Sequence, residues 1–223
     1  MLNCANCADC PLRPYWQRRG QWSPVPLEEN GSDILILGDA PSKQDIASSR
    51  PFTDDLGIHV MEVLKLRGRS RLSIDWGNVL GCRWPDDNPK AFLAQLQKKN
   101  RARLKKGEEP ILHPIRACWP HVQSHLARYT TVIPLGSHAT KTMLEGNPSL
   151  EAVRGGPTLR GEQKVLPTYH PSLLRVQPHL KPVFESDMAK ALRFHRDRLT
   201  WEDPKVFYQP DPIWARGWFE RNK

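Results

Sequence analysis

Short apolar runs alternate along this chain with longer stretches in which apolar residues recur at helical spacing. Asp33-Ile-Leu-Ile-Leu37 is continuous and ends at once on Gly38-Asp-Ala-Pro-Ser42. A run of that length stopped by Gly and Pro predicts a strand buried on both faces, opening into a loop at its C-terminal end. Residues 73–80 (SIDWGNVL), 130–136 (TTVIPLG) and 164–168 (KVLPT) predict three more strands. Between them, residues 55–67 place Leu56, Val60, Val63, Leu64 and Leu66 on one helical face. Residues 114–128 predict a second helix, and Ser137 stands where it would cap a third. A last helix is expected over 180–199, with Phe184, Met188, Ala191, His195 and Leu199 on one side.

Strands alternating with helices make this an α/β chain, a three-layer α/β/α sandwich around a central, mainly parallel, four-stranded sheet. One domain is expected over residues 1–199. Residues 88–113 interrupt it as a polar surface insertion carrying KKNRARLKK, six basic residues in nine. That run reads either as a solvated helix face or as an element that contacts phosphates. Residues 200–223 break the alternation and read as a tail or linker.

Composition narrows the class. With 223 residues, 33 Lys+Arg against 24 Asp+Glu, a formal charge of +9 and a pI near 9.5, the chain suits a polyanionic partner. The mean hydropathy of −0.60 leaves no run approaching the roughly 18 to 20 apolar residues of a membrane span. The opening MLNCANCADC has no basic segment followed by an apolar one, so a reducing cytoplasm is the expected location.

Cysteines at 4, 7 and 10 are followed by Cys82 and Cys118. Thiols three residues apart in a Pro-bounded loop are typical of a metal or iron–sulfur site, and two distant residues can complete four ligands. Zinc and a [4Fe–4S] cluster both fit that count, and spacing alone leaves open which of Cys4, Cys7 and Cys10 is the spare. The plain alternative is a set of unrelated buried thiols.

Three loops at the C-terminal edge of the expected sheet carry the candidate chemistry. The first holds Asp39, Ala40, Gln44, Asp45 and Phe52; the second holds Asn78; the third holds His170. A carboxylate can activate water, an amide can read the polar edge of a ring, an aromatic can stack on it, and a histidine can stabilise a departing anion. Singly, Asp39 reads equally as a cap, Asn78 as a satisfied strand-end amide and His170 as a structural histidine. Converging on one edge they describe a pocket.

The set Cys7-x2-Cys10-Pro-Leu, ILILGDAPS, Arg50-Pro-Phe52, residues 77–83 (GNVLGCR), Ile115-Arg-Ala-Cys118, residues 132–136 (VIPLG), Arg154-Gly155 and residues 168–175 (TYHPSLLR) resembles the uracil-DNA glycosylase superfamily. The resemblance is greatest to its family 4 iron–sulfur branch and related phage domains, and it covers about residues 4–199. It implies a monofunctional glycosylase that flips uracil from DNA and hydrolyses its N-glycosidic bond in base excision repair. The other reading is a degenerate DNA-binding module serving a replication or repair partner. By position, the resemblance makes Cys7, Cys10, Cys82 and Cys118 ligands of a [4Fe–4S] cluster in preference to zinc, with Cys4 spare. It makes Asp39, where the family usually has Glu, the water-activating carboxylate and His170 the stabiliser of the uracil anion. Phe52 and Asn78, with Gln44 and Ala40, fall in the base pocket. Pro171, Ser172, Leu173, Leu174 and Arg175 correspond to the wedge entering the duplex, Arg154 joins the DNA contacts, and a monomer is expected.

Overall fold

The computed structural model describes residues 6–196. Cys4, Leu199 and the 200–223 tail lie outside them. Five strands form one sheet: β1 (Ile34–Gly38), β2 (Asp75–Asn78), β3 (Thr131–Pro134), β4 (Thr158–Arg160) and β5 (Gln163–Val165), in the order β2-β1-β3-β5-β4. β2, β1, β3 and β5 run parallel, with Leu35 beside Asp75 and Ile36 beside Ile133. β4 pairs antiparallel with β5 and adds an edge strand to the four expected from the sequence.

Every residue of β1 is buried, as parallel strands covered on both faces require. The alternation of the strand sorts its side chains between two cores. Leu35 and Leu37 face a core with Val132, Val165, Val122, Leu126 and Met143, the last three from α5 (Pro114–Leu126) and α6 (Ser137–Met143). Ile34 and Ile36 face the other core, against Val60, Val63 and Leu64 of α3 (Asp55–Lys65) and Phe184, Met188 and Ala191 of α9 (Lys181–Arg196). The result is an α/β/α sandwich.

Local chemistry sets most boundaries. α2 (Lys43–Ser48) begins on a capping box in which Ser42 and Asp45 bond each other's backbone N–H. Asp54 caps α3 by accepting from the Gly57 N–H. The polar 88–113 segment contains α4 (Pro89–Lys105), capped by Asn88. Leu96 of α4 is buried, and Phe92 and Leu93 pack against the core, whereas Lys98, Lys99, Arg101 and Lys105 are exposed.

Ser137 does not cap α6. It is the first helical residue, the cap position is Gly136 at φ 90°, and no local side chain serves there. The carboxylate that accepts from this helix's N-terminus is Asp39, arriving from the end of β1. The remaining helices are α1 (Leu12–Gln17) beside the cysteine loop, the single turn α7 (Leu150–Val153), and α8 (Pro171–Val176) just after the sheet. Among the described residues no helix is long and apolar enough to cross a membrane.

Candidate active site

The parallel strands deliver their loops to one edge, where a cleft of about 350 Å³ is lined by Asp39, Ala40, Phe52, Asn78, Trp84 and His170 among others. Asn78 ends β2 directly beside Gly38 of β1. That glycine is dictated by its neighbours: a Cβ there would fall 2.4 Å from Asn78 Oδ1 and 2.6 Å from the Phe52 ring.

Phe52 closes one wall from a left-handed backbone conformation, φ 55°, which non-glycine residues adopt at a cost in energy. Its surroundings hold it there. Arg71 Nη1 donates to the Phe52 carbonyl at 3.0 Å, Arg71 Nη2 reaches the Pro51 carbonyl, and Gly57 leaves room for the Phe52 backbone. Glu28 grips Arg71 through two bonds of 2.6 and 2.8 Å and also binds Arg50. Burial opposes the charge on Glu28, but the two arginines prevail and hold its carboxyl down to about 2. Buried Asp45 ties this loop to the first one, accepting from the backbone N–H groups of Ser42 (2.9 Å) and Thr53 (2.7 Å).

His170 is the N-cap of α8. Its Nδ1 accepts from the Ser172 backbone N–H at 3.2 Å and lies 2.8 Å from the Ser172 hydroxyl. A ring nitrogen that accepts carries no proton, so the neutral imidazole bears its hydrogen on Nε2. Burial pushes the pKa of His170 down, against the pull of Asp39 and Asp54, which favours this neutral form. Gly136 (φ 90°) allows Asp39 and His170 to approach: a Cβ there would lie 2.9 Å from His170 Cβ and 3.3 Å from Asp39 Oδ2.

Both oxygens of Asp39 have partners. Oδ1 accepts from the Ala139 N–H at 2.9 Å, and Oδ2 meets His138 Nδ1 at 3.1 Å. The sequence reading did not single out His138, because a histidine in the first turn of a helix gives no local sign of facing a loop 99 residues earlier. Trp84 and Asp87 were also passed over as wall residues.

Several other expected site residues have structural partners away from the cleft. Gln44 is exposed and braces the loops by donating to the Thr53 carbonyl at 2.8 Å. Arg154 donates to both oxygens of buried Asp187, which also accepts from Thr168, so it neutralises an interior carboxylate. Leu174 is 2% exposed and belongs to the core with Phe184; Pro171 is likewise buried. Ser172 and Arg175 are exposed and line the rim of the cleft, and half-buried Leu173 reaches the surface between them. Arg175 is paired with Asp55 at 3.0 Å.

Cys7, Cys10, Cys82 and Cys118 stand as thiols. Among the described residues no three ligating side chains are drawn up into a ready metal site. The four nevertheless share one neighbourhood. Burial, and then the fields of Cys118, Cys10 and Cys7, push the Cys82 thiol up, and burial pushes Cys10 up to about 11. The buried Trp22 indole N–H lies beside Cys82, where a donor favours the thiolate and opposes the effect of burial. Four cysteines gathered in one half-buried place, with an indole N–H directed at one of them, make a donor set that fits a cationic group able to bind their sulfurs as thiolates.

The family model described as the uracil DNA glycosylase superfamily matches residues 26–193. Among curated proteins, the chain is similar to the type-4 uracil-DNA glycosylase of Sulfurisphaera tokodaii, at 27% identity over 197 residues, 83% of this chain and 78% of that protein. The type-4 uracil-DNA glycosylase of Thermotoga maritima is 28% identical over 194 residues, covering 84% and 88% of the two chains. That of Pyrobaculum aerophilum is 27% identical over 195 residues, covering 82% and 87%.

Proposed function

Because the chain belongs to the uracil DNA glycosylase superfamily, we propose that it hydrolyses the N-glycosidic bond of uracil in DNA. The observation that carries this reading is the meeting of Asp39, Phe52, Asn78 and His170 around one cleft at the C-terminal edge of the sheet. A base stacked in a duplex cannot present its glycosidic bond, so it is flipped out at a cost of a few kcal/mol. Phe52 offers the flipped ring a face, and Asn78 can donate to O4 while accepting from N3–H. Cytosine reverses that pattern and leaves polar groups unpaired, at about 1 to 3 kcal/mol each.

Cleavage puts negative charge on uracil O2 and positive charge on the sugar. The Nε2–H of His170 supplies a fixed donor to the anion, an interaction on the order of 3 to 4 kcal/mol. Asp39 holds water and favours the cationic sugar. Leu173 and Ser172 take the wedge position, since Leu174 is committed to the core.

DNA leaves the cleft along α4. The turn at residues 84–89 walls the cleft with Trp84 and Asp87, and on its other side it opens a groove of about 400 Å³ between α1 and α4. Arg18, Arg19 and Lys99 line that groove, with Tyr15 and Phe92 as apolar floor. The exposed cations of α4 continue the track. Cys7, Cys10, Cys82 and Cys118 would hold a [4Fe–4S] cluster whose contribution is structural, fastening the cysteine loop and α1 to the body.

The second reading is a DNA-binding module without base release, favoured by the engagement of both Asp39 oxygens within the protein. Incubation with an end-labelled uracil oligonucleotide followed by alkali separates the two. Strand breaks that disappear in His170→Ala support the enzyme, and tight binding without breaks supports the module.

A further inference from the structure

Asp39 lines the cleft but is held by His138 and Ala139, which do not. The Ala139 N–H fixes Oδ1 and the His138 ring fixes Oδ2, so rotation about the Cβ–Cγ bond is closed from two points of one helix turn. The His138 side chain is 35% exposed, packs its ring near Trp84 with centroids 6.3 Å apart, and has Asp39 as its ion-pair partner. A carboxylate one methylene shorter than Glu reaches less far into the cleft, and its aim therefore depends more on what clamps it.

We infer that His138 is a positioning residue for Asp39, and that the protonation of the Asp39–His138 pair, rather than of Asp39 alone, sets the acid side of activity. This rests on the reading of Asp39 as the carboxylate that favours the cationic sugar. With the imidazole protonated the pair carries no net charge. With Nε2 deprotonated and the Nδ1–H still donated to Asp39, the pair carries one negative charge, the form that stabilises positive charge on the sugar. Base release should accordingly rise with pH as the imidazolium is lost. The groups that face His138 are Asp39 from the β1 loop, Lys141 on its own helix, and His170 and His113 at the N-termini of α8 and α5. The hydrogen bond that the His138 ring donates to Asp39 raises the His138 pKa, with burial and Lys141 opposing it.

The test is single-turnover uracil release with saturating protein between about pH 5 and 9, for wild type, His138→Ala and His138→Gln. Wild type should show an acid limb centred above the ordinary histidine range. His138→Ala should lower the plateau on the order of tenfold to a hundredfold, with the half-saturating protein concentration unchanged. His138→Gln keeps a donor without a titration, so it should restore plateau rate relative to His138→Ala while the limb moves down. A His138→Gln profile superimposable on wild type, or a His138→Ala plateau equal to wild type, overturns the inference. The NMR titration of the His138 ring gives a readout independent of base release. Its midpoint should fall on Asp39→Asn, and an unchanged midpoint overturns the pairing. Absence of uracil release by wild type would instead defeat the glycosylase reading, leaving the ring titration to decide the pair.

Discussion

Gly38 and Asn78 are register partners on adjacent strands, so closely set that a Cβ on Gly38 would stand 2.4 Å from the Asn78 amide oxygen. The Asn78 amide is thus located by the absence of a methyl group. Gly38→Ala should displace Asn78 and the Phe52 ring together and cost about 1 to 3 kcal/mol of stability. Uracil release should fall by on the order of a hundredfold, since displacement of about 1 Å has that effect on an aligned reaction. Thermal melting beside single-turnover kinetics checks this; a variant with wild-type rate would show that Asn78 does not need its present place.

His170→Ala should lower release on the order of a hundredfold to a thousandfold, the usual loss for one oxyanion donor. Ser172→Ala keeps the backbone N–H that fixes the tautomer and should cost far less. Stability follows the depressed pKa of His170. Above the ordinary histidine value both folded and unfolded chains hold the ring neutral and it contributes nothing. As pH falls through that value, the unfolded chain takes up a proton that the folded one refuses, so stability declines until the folded pKa is reached. Urea melts of wild type and His170→Asn across this window should differ in slope, and parallel slopes would contradict the depressed His170 pKa.

Arg71→Met should release Phe52 from its left-handed conformation, reducing base release while leaving DNA binding nearly intact. The lost bonds to the two carbonyls and to Glu28 should lower stability by on the order of 1.5 to 3 kcal/mol. Glu28 has its folded pKa lowered from 4.5 to about 2. Its contribution is therefore complete above the unfolded value and is lost as pH drops from about 4.5 toward 2. Glu28→Gln should flatten stability in that acid window, which chemical denaturation at several pH values would reveal.

Charge reversal at Lys98, Lys99 and Arg101 should weaken binding to duplex DNA and lower the magnitude of the salt slope by about 2 to 3. Release from a short single-stranded uracil oligonucleotide at saturating protein should change little, because these residues lie along the flank and not in the cleft. Equal salt slopes for variant and wild type would remove α4 from the DNA track.

The parallel core was legible because ILILG is apolar without interruption and its neighbours repeat the pattern. β4 was not, since Thr158-Leu-Arg160 is three residues long, partly exposed and shows no run. Reading by neighbourhood in the chain also assigned the α6 cap to Ser137, when the carboxylate came from Asp39 across the fold. Of Leu173 and Leu174, only packing against Phe184 reveals which is interior. Arg154 looked like an exposed cation until buried Asp187 appeared 33 residues later. The residues meeting at the cleft were recoverable where they ended strands. His138, Trp84 and Arg71, which act from helices and turns, carried no such mark.

Phe52 is held in its left-handed conformation by hydrogen bonds and packing from its own chain. A wall built in advance does not have to be ordered by the ligand it receives, so on the proposed reading the entropy of ordering this loop is spent in folding and not in binding. A ring that fits meets no delay while the pocket assembles, and one that does not fit cannot reshape the wall to suit itself.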